Sequence, residues 1–270
     1  MSESYSVGVD WSNGAWLCVL FEDAEYVDVR VEDEIEDLLE DDNEIEMILV
    51  DIPVGLFEEN DHFDDAELVR ECDAKARKAL GRRHSSVFNP PARDAIEQAV
   101  DGEPYESVKK TSKDVTGKGL QKQAFHISKA IYEVDQLLRE DQDLVDESDG
   151  PCVVESHPEV CFRALNGGDL SHSKKSAPGL AERLQAMEQS LDNPGETLYK
   201  VCEDLFTEGL GDDEVDVDID DALDALVLAV VASAPEDEIQ RLPNDEPPDD
   251  ACGFPMQMVY RAAEPIVETS

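Results

Sequence analysis

The run Glu46-Met47-Ile48-Leu49-Val50-Asp51-Ile52-Pro53 decides the fold. Four successive apolar residues inside a short segment that Pro53 and Gly55 bring to a stop predict a strand buried on both faces, as in the centre of a parallel sheet. Working outward, Tyr5 to Asp10 reads as a first strand and Ala15 to Phe21 as a second, joined by a turn at Ser12-Asn13-Gly14. Tyr26 to Val31 alternates apolar and polar residues and predicts a third strand of a meander. Between it and the buried run, Asp33 to Asp42 sets Ile35, Leu38 and Leu39 at helical spacing. Three antiparallel strands, a helix and then parallel strands predict an α/β protein with a mixed sheet flanked by helices.

Further along, residues 56–150 lack a strong strand signal and read as a mostly helical insertion after the fourth strand. Cys152 to Glu155 predicts another short strand, followed by a helix over Pro158 to Leu165 that Asn166-Gly167-Gly168 ends. Asp220 to Ala234 carries Leu223, Leu226, Val227, Val230 and Val231, the strongest helical pattern in the chain, and Met256 to Arg261 suggests a late edge strand. With no internal repeat and no long linker, residues 1–270 read as one domain.

Asp and Glu number 66 against 22 Lys and Arg, a formal charge of −44, while 41% of residues are hydrophobic. The acids run through apolar, periodic segments rather than one tail, which points to a folded halophilic protein. Concentrated salt shortens the Debye length to roughly 3 Å at 1 M and removes most self-repulsion. Met1 to Val9 shows neither a basic nor an apolar leader region, and Ala225 to Ala232 is too short to span a bilayer. The six cysteines contain no C-x-x-C pair and read as free thiols of a reducing cytosol. A cytoplasmic protein without membrane contact is the expectation; the sequence leaves the oligomeric state unknown.

Charge is unevenly spread. Residues 70–129 hold 13 of the 22 basic residues and only 8 of the 66 acids. Two readings stand: this segment meets something negative, phosphate above all, or it docks internally on the acidic body.

Among so many acids, position alone singles out candidates. Asp10 and Asp51 lie in apolar runs near strand ends, where an ionised carboxylate is costly unless paired or metal-bound. Glu155 ends the Cys152 strand, and Asp221 and Asp224 are three apart on one helix face. Gathered on one rim, such carboxylates suit Mg²⁺ or Mn²⁺, hard cations that favour oxygen ligands. Each also has a plain structural reading: Asp220 or Asp221 as a helix N-cap, Asp224 at the helix dipole, Asp51 capping a turn. His157 and Glu159 read either as a base or extra ligand, or as a tight strand-to-helix turn. Gly117-Lys118-Gly119 hints at phosphate contact without Walker spacing, and no G-x-S-x-G, H-E-x-x-H or dinucleotide fingerprint occurs.

Several segments together carry a resemblance: Gly8-Val9-Asp10, Asp51-Ile52-Pro53-Val54-Gly55, Leu80-Gly81-Arg82-Arg83-His84-Ser85-Ser86, Gly117-Lys118-Gly119-Leu120, Glu155-Ser156-His157-Pro158-Glu159, Ser173-Lys174-Lys175 and Asp220-Asp221-Ala222-Leu223-Asp224. In this order, over nearly the whole chain, they resemble domain-of-unknown-function family 429, described as predicted nucleases of ribonuclease H-like fold. The resemblance implies that Asp10, Asp51 and the Asp221/Asp224 pair stand where such enzymes keep metal ligands. Ile52-Pro53 beside the fourth-strand acid, and Trp11 after the first, depart from the usual pattern of such sites. The expectation is a Mg²⁺- or Mn²⁺-dependent nuclease. Asp10, Asp51, Asp224 and Glu155 would form its catalytic set, with Asp221 as a further metal ligand. Arg82, Arg83, Lys118 and Lys122 would hold DNA or RNA. The alternatives are an ATP-dependent phosphotransferase of the related actin-like fold, and a non-catalytic scaffold.

Overall fold

The computed structural model describes residues 4–39, 44–59, 68–146, 151–207 and 217–267. Its centre is a five-stranded mixed sheet built from β1 (Ser4–Ser12), β2 (Ala15–Glu22), β3 (Glu25–Glu32), β4 (Glu44–Val50) and β5 (Cys152–Glu155). Asn13 and Gly14, both at positive φ (49° and 99°), make the tight turn that joins β1 to β2. β1–β2 and β2–β3 are antiparallel, whereas β1–β4 and β4–β5 are parallel.

The order across the sheet is β3-β2-β1-β4-β5, which departs from the expected succession of three antiparallel strands and then parallel ones. The parallel strands are added at the edge of β1, not beyond β3. The reason lies in the side chains. Ile48, Leu49 and Val50 of β4 are fully buried and need a strand on each side and cover on each face. β3 carries Glu25, Asp28, Arg30 and Glu32 and tolerates an edge.

Alternation along the strands feeds two cores. Leu17, Val19 and Phe21 face one layer with α1 (Glu71–Leu80), α6 (Pro158–Leu165), α8 (Pro194–Thr207) and α9 (Ile219–Ala232). Trp16, Cys18 and Leu20 join Val7 and Val9 on the other face, against α5 (Ser128–Glu140). A smaller cluster ties α2 (Arg93–Val100), α3 (Tyr105–Thr116) and α4 (Lys122–His126) together. The described residues between β4 and β5 hold α1 to α5. α7 (Ala177–Met187) precedes α8.

Three expectations change in detail. The Asp33 to Asp42 segment forms only a 3-10 turn, Ile35–Leu39, its last residues lying outside the described ones. Its two acids, Glu36 and Asp37, are exposed, and Ile35 and Leu38 anchor the single turn in the core. The late strand, β7 (Met258–Arg261), pairs antiparallel with β6 (Ile239–Leu242) in a separate two-stranded sheet, which a bridge from Ser156, just after β5, to Val259 ties to the main one. The last helix starts at Ile219 and ends at Ala232. All six cysteines are free. No helix among the described residues is long and apolar enough to cross a membrane.

Candidate metal and phosphate site

Parallel pairing of β1 with β4 sets Val9 opposite Val50, and the Asp51 N–H donates to the Val9 carbonyl at 3.1 Å. Asp10 and Asp51, the residues after this pair, therefore stand at one rim, where β4 has ended while β1 runs on to Ser12 beside β2. α9 reaches the same rim because Gly8 has no side chain. A Cβ there would lie 2.1 Å from the Ala229 nitrogen and 2.2 Å from the Ala225 oxygen. The helix thus rests directly on β1. One turn before Ala225 stands Asp221, and two residues beyond Gly8 stands Asp10, so the helix start lies alongside the strand's end. The Ser12 hydroxyl donates to Asp221 Oδ2 at 2.5 Å. Asp218 is the N-cap residue and makes no side-chain cap hydrogen bond, so neither Asp220 nor Asp221 is spent as a cap.

Asp10, Asp51, Asp221 and Asp224 line one cavity of about 540 Å³. Arg82 and Arg83, on the 3-10 turn Gly81–Ser86, line it too, with Lys174 and Lys175 from the loop before α7. Burial raises the Asp10 carboxyl well above the usual range, and Asp51, Asp224 and Asp221 push it further. Burial likewise raises Asp51 and Asp221. It lifts Asp224 to about 7 even though the Lys174 ammonium opposes the rise. Lys174 Nζ is 2.5 Å from Asp224 Oδ2 and 3.5 Å from Asp220 Oδ2. Burial disfavours its charge, but Asp224, Asp10 and Asp220 overcome that and hold the ammonium above its ordinary range. The second Asp224 oxygen, Oδ1, is buried with no hydrogen-bond partner. Among the described residues no three acids, histidines or cysteines already stand in ligating geometry; the cation now serving the acids is Lys174.

Glu155 is placed elsewhere. Arg70 grips it at 2.7 and 2.8 Å, holds Asp73 at 2.7 and 3.1 Å, and donates to the Val54 carbonyl at 2.8 Å. The Val54 N–H donates to Glu155 Oε2 at 2.8 Å. Burial outweighs Arg70 and raises Glu155 to about 7. Its oxygens are engaged in pinning the segment after Asp51, so it does not join the four aspartates. Lys118 and Lys122 are not among the residues lining the cavity, whereas Gln123, next along α4, is. The basic segment divides between both readings. Arg70 and Arg93 are buried clamps, the latter on Asp135, Asp250 and Glu58, while Arg82 and Arg83 face the cavity.

His157 lies on the cavity wall as the N-cap of α6, its Nδ1 accepting from the Glu159 N–H at 3.2 Å. The neutral ring therefore carries its proton on Nε2, 3.4 Å from the Ser86 carbonyl. Glu159 is held by buried Arg183 and lies 3.6 Å from Arg83. Lys174 is the residue that sequence reasoning passed over as a site member. The available signal was scarcity: outside residues 70–129 the chain has three lysines, and Lys174 and Lys175 are adjacent.

A family model described as a protein of unknown function, DUF429, matches residues 8–248. No curated protein and no solved structure matches the chain.

Proposed function

The chain belongs to the DUF429 family, and from the site's own geometry we propose that it is a Mg²⁺- or Mn²⁺-dependent phosphodiester hydrolase acting on nucleic acid. The observation that carries this reading is the meeting of Asp10, Asp51, Asp221 and Asp224 in one cavity that Arg82 and Arg83 also line. Buried carboxylates that raise one another's pKa are a poor arrangement unless a cation relieves them. The donor set is all oxygen, which suits a hard divalent ion, and the partnerless Asp224 Oδ1 supplies an unfilled acceptor. When bound, such an ion supplies neutralisation of phosphoryl charge and a more acidic attacking water.

The chain's own groups do the rest. Arg82 and Arg83, on the cavity lining, hold phosphate oxygens, whose geometry guanidinium forks match, and Lys175, 3.9 Å from Asp220, adds charge. His157 presents an N–H at Nε2 on the same wall. The Arg70–Glu155 clamp keeps the segment after Asp51 in place, a positioning role. The sheet order, with β1 between an antiparallel hairpin and two parallel strands, supports the ribonuclease H-like reading by analogy of fold. The acid excess supports a halophilic, cytoplasmic setting, in which long-range repulsion of nucleic acid is screened.

The test is cleavage of labelled single-stranded and duplex DNA and RNA in concentrated KCl with Mn²⁺. Wild type should cut at least one substrate. Asp10→Asn and Asp224→Asn should each lose roughly a hundredfold or more, the loss of several kcal/mol of transition-state stabilisation, with circular dichroism unchanged. Absence of metal-dependent cleavage on all four substrates refutes the reading.

A further inference from the structure

Alternation along β1 sends Gly8 and Asp10 toward α9 and Val9 and Trp11 toward α5. Asp10 and Trp11 nevertheless line the same cavity, which therefore straddles the rim of the sheet. Its acid end lies on the α9 side. Trp11, Phe88 and Ile127 add apolar lining to the cavity. Trp11 is backed by Trp16, ring centroids 4.7 Å apart at 65°, and Trp16 is fully buried with its Nε1 donating to Glu133 at 2.7 Å. The outer ring is thus held in a fixed position. Arg82 and Arg83 line the same cavity.

We propose that this cavity takes one unstacked nucleotide, its base against Trp11 and Phe88 and its phosphate at Arg82 and Arg83 beside the aspartates. This specifies the substrate class of the hydrolase reading and rests on it for the phosphate's fate, not for binding. A volume of about 540 Å³ lies within the range of small-ligand sites, ~300–1,000 Å³. A base still paired and stacked in a duplex cannot reach Trp11 while its phosphate sits at the acids, so it must first leave the stack. Lys129, whose ammonium lies 5.3 Å over the Trp11 ring and whose side chain is 58% exposed, is the present cover. An exposed cation–π contact contributes about 0.5–1 kcal/mol, less than the ~1–3 kcal/mol of a stacked base, so the base displaces it.

The probe is a short fluorescein-labelled oligothymidylate, bound to the full chain in concentrated KCl with Ca²⁺ in place of Mn²⁺ and followed by anisotropy. Thymidine monophosphate and a duplex of the same length serve as competitors. Trp11→Ala and Phe88→Ala should each weaken strand binding about tenfold, within the range that one stacked base implies. Trp11→Phe should retain most of it, which separates stacking from a folding defect. Competition by the monophosphate as strong as by the strand assigns a free nucleotide; weak competition assigns a strand. Equal competition by duplex, unchanged binding in Trp11→Ala and Phe88→Ala, or no binding by wild type overturns the proposal. Trp11-dependent binding without any cleavage sinks the hydrolase reading alone. Duplex cleavage indifferent to Trp11→Ala sinks this inference alone.

Discussion

Replacing Lys174 by methionine removes the ammonium 2.5 Å from Asp224 and 3.5 Å from Asp220 while keeping the length of the stem. Asp224 is 5% exposed and would lose its counter-charge. Breaking a fully buried ion pair costs about 3–5 kcal/mol. The Lys174 side chain is 30% exposed, so solvent screening reduces the expected loss to roughly 1–3 kcal/mol. Asp224 recovers part of it by taking up a proton, the more readily because Lys174 no longer holds its pKa down to about 7, so the measurement belongs at about pH 9. With chelator present, thermal unfolding of Lys174→Met should occur several degrees below wild type. With Mn²⁺ the order should reverse in the binding measurement. A divalent ion entering the wild-type site must displace the ammonium, and the variant presents the same acids without that competitor. Titration calorimetry should then show tighter Mn²⁺ binding by about tenfold, the equivalent of 1.4 kcal/mol. Mn²⁺ bound equally well or more weakly by Lys174→Met would mean that Lys174 does not stand in for a cation, and the reasoning about the acid set would fail with it.

The remaining predictions concern the frame and its titration. Asp224 has a folded pKa of about 7 against an ordinary 3.8, so the folded state holds its proton more firmly. Its contribution to stability is present below about pH 4 and is lost as pH rises toward 7; metal-free melting temperature should fall across that window, and Asp224→Asn should flatten the fall. A melting temperature that climbs over the window contradicts this sign. Gly8→Ala drives a methyl into the α9 backbone, so it should cost at least about 3 kcal/mol in denaturant unfolding or give no soluble protein; a loss under 1 kcal/mol would mean that α9 can lift off β1 cheaply. Arg70→Met strands Glu155 and Asp73 in a site where both side chains are nearly inaccessible, at about 3–5 kcal/mol by the same measurement. A neutral result would mean that Arg70 does not stabilise this buried site.

Much of the fold was legible because its signals are local. Asn13-Gly14 specifies its turn by left-handed propensity, β4 announces two-sided burial by its apolar run, and α9 its depth by being apolar on nearly every face. Asp10, Asp51, Asp221 and Asp224 could be nominated because each interrupts or borders such a run. Glu155 met the same criterion and went elsewhere. The criterion detects a buried carboxylate, and a guanidinium from α1's N-cap satisfies one as well as a metal does. Which partner arrives is a matter of tertiary placement, and Arg70 lies 85 residues away in sequence. Lys118 and Lys122 are not among the residues lining the cavity: composition marks a basic segment but not which of its side chains turn toward a cavity. Lys174 was missed for the opposite reason, since a loop lysine carries no periodicity.

The distribution of positive charge bears on how a chain of −44 can hold a phosphate at all. In concentrated salt the Debye length shrinks to about 3 Å, so neither the acidic surface nor a distant basic patch exerts much pull. Only groups in contact count. The two arginines that face the cavity sit on a 3-10 turn following directly on α1, and α1 begins beside Arg70, whose clamp fixes it to Val54 and Glu155. The buried and the exposed basic residues are therefore one device. Arg70 ties the insertion to the sheet at the Asp51 segment, and the helix it anchors runs into the turn that brings Arg82 and Arg83 to the cavity. An insertion merely docked on an acidic body would need the first half of that arrangement but not the second. Arg82 and Arg83 line the same cavity as the four aspartates, so it holds charge of both signs even with Lys174 on Asp224 and Arg83 near Glu159. A phosphate with its divalent cation satisfies both at once.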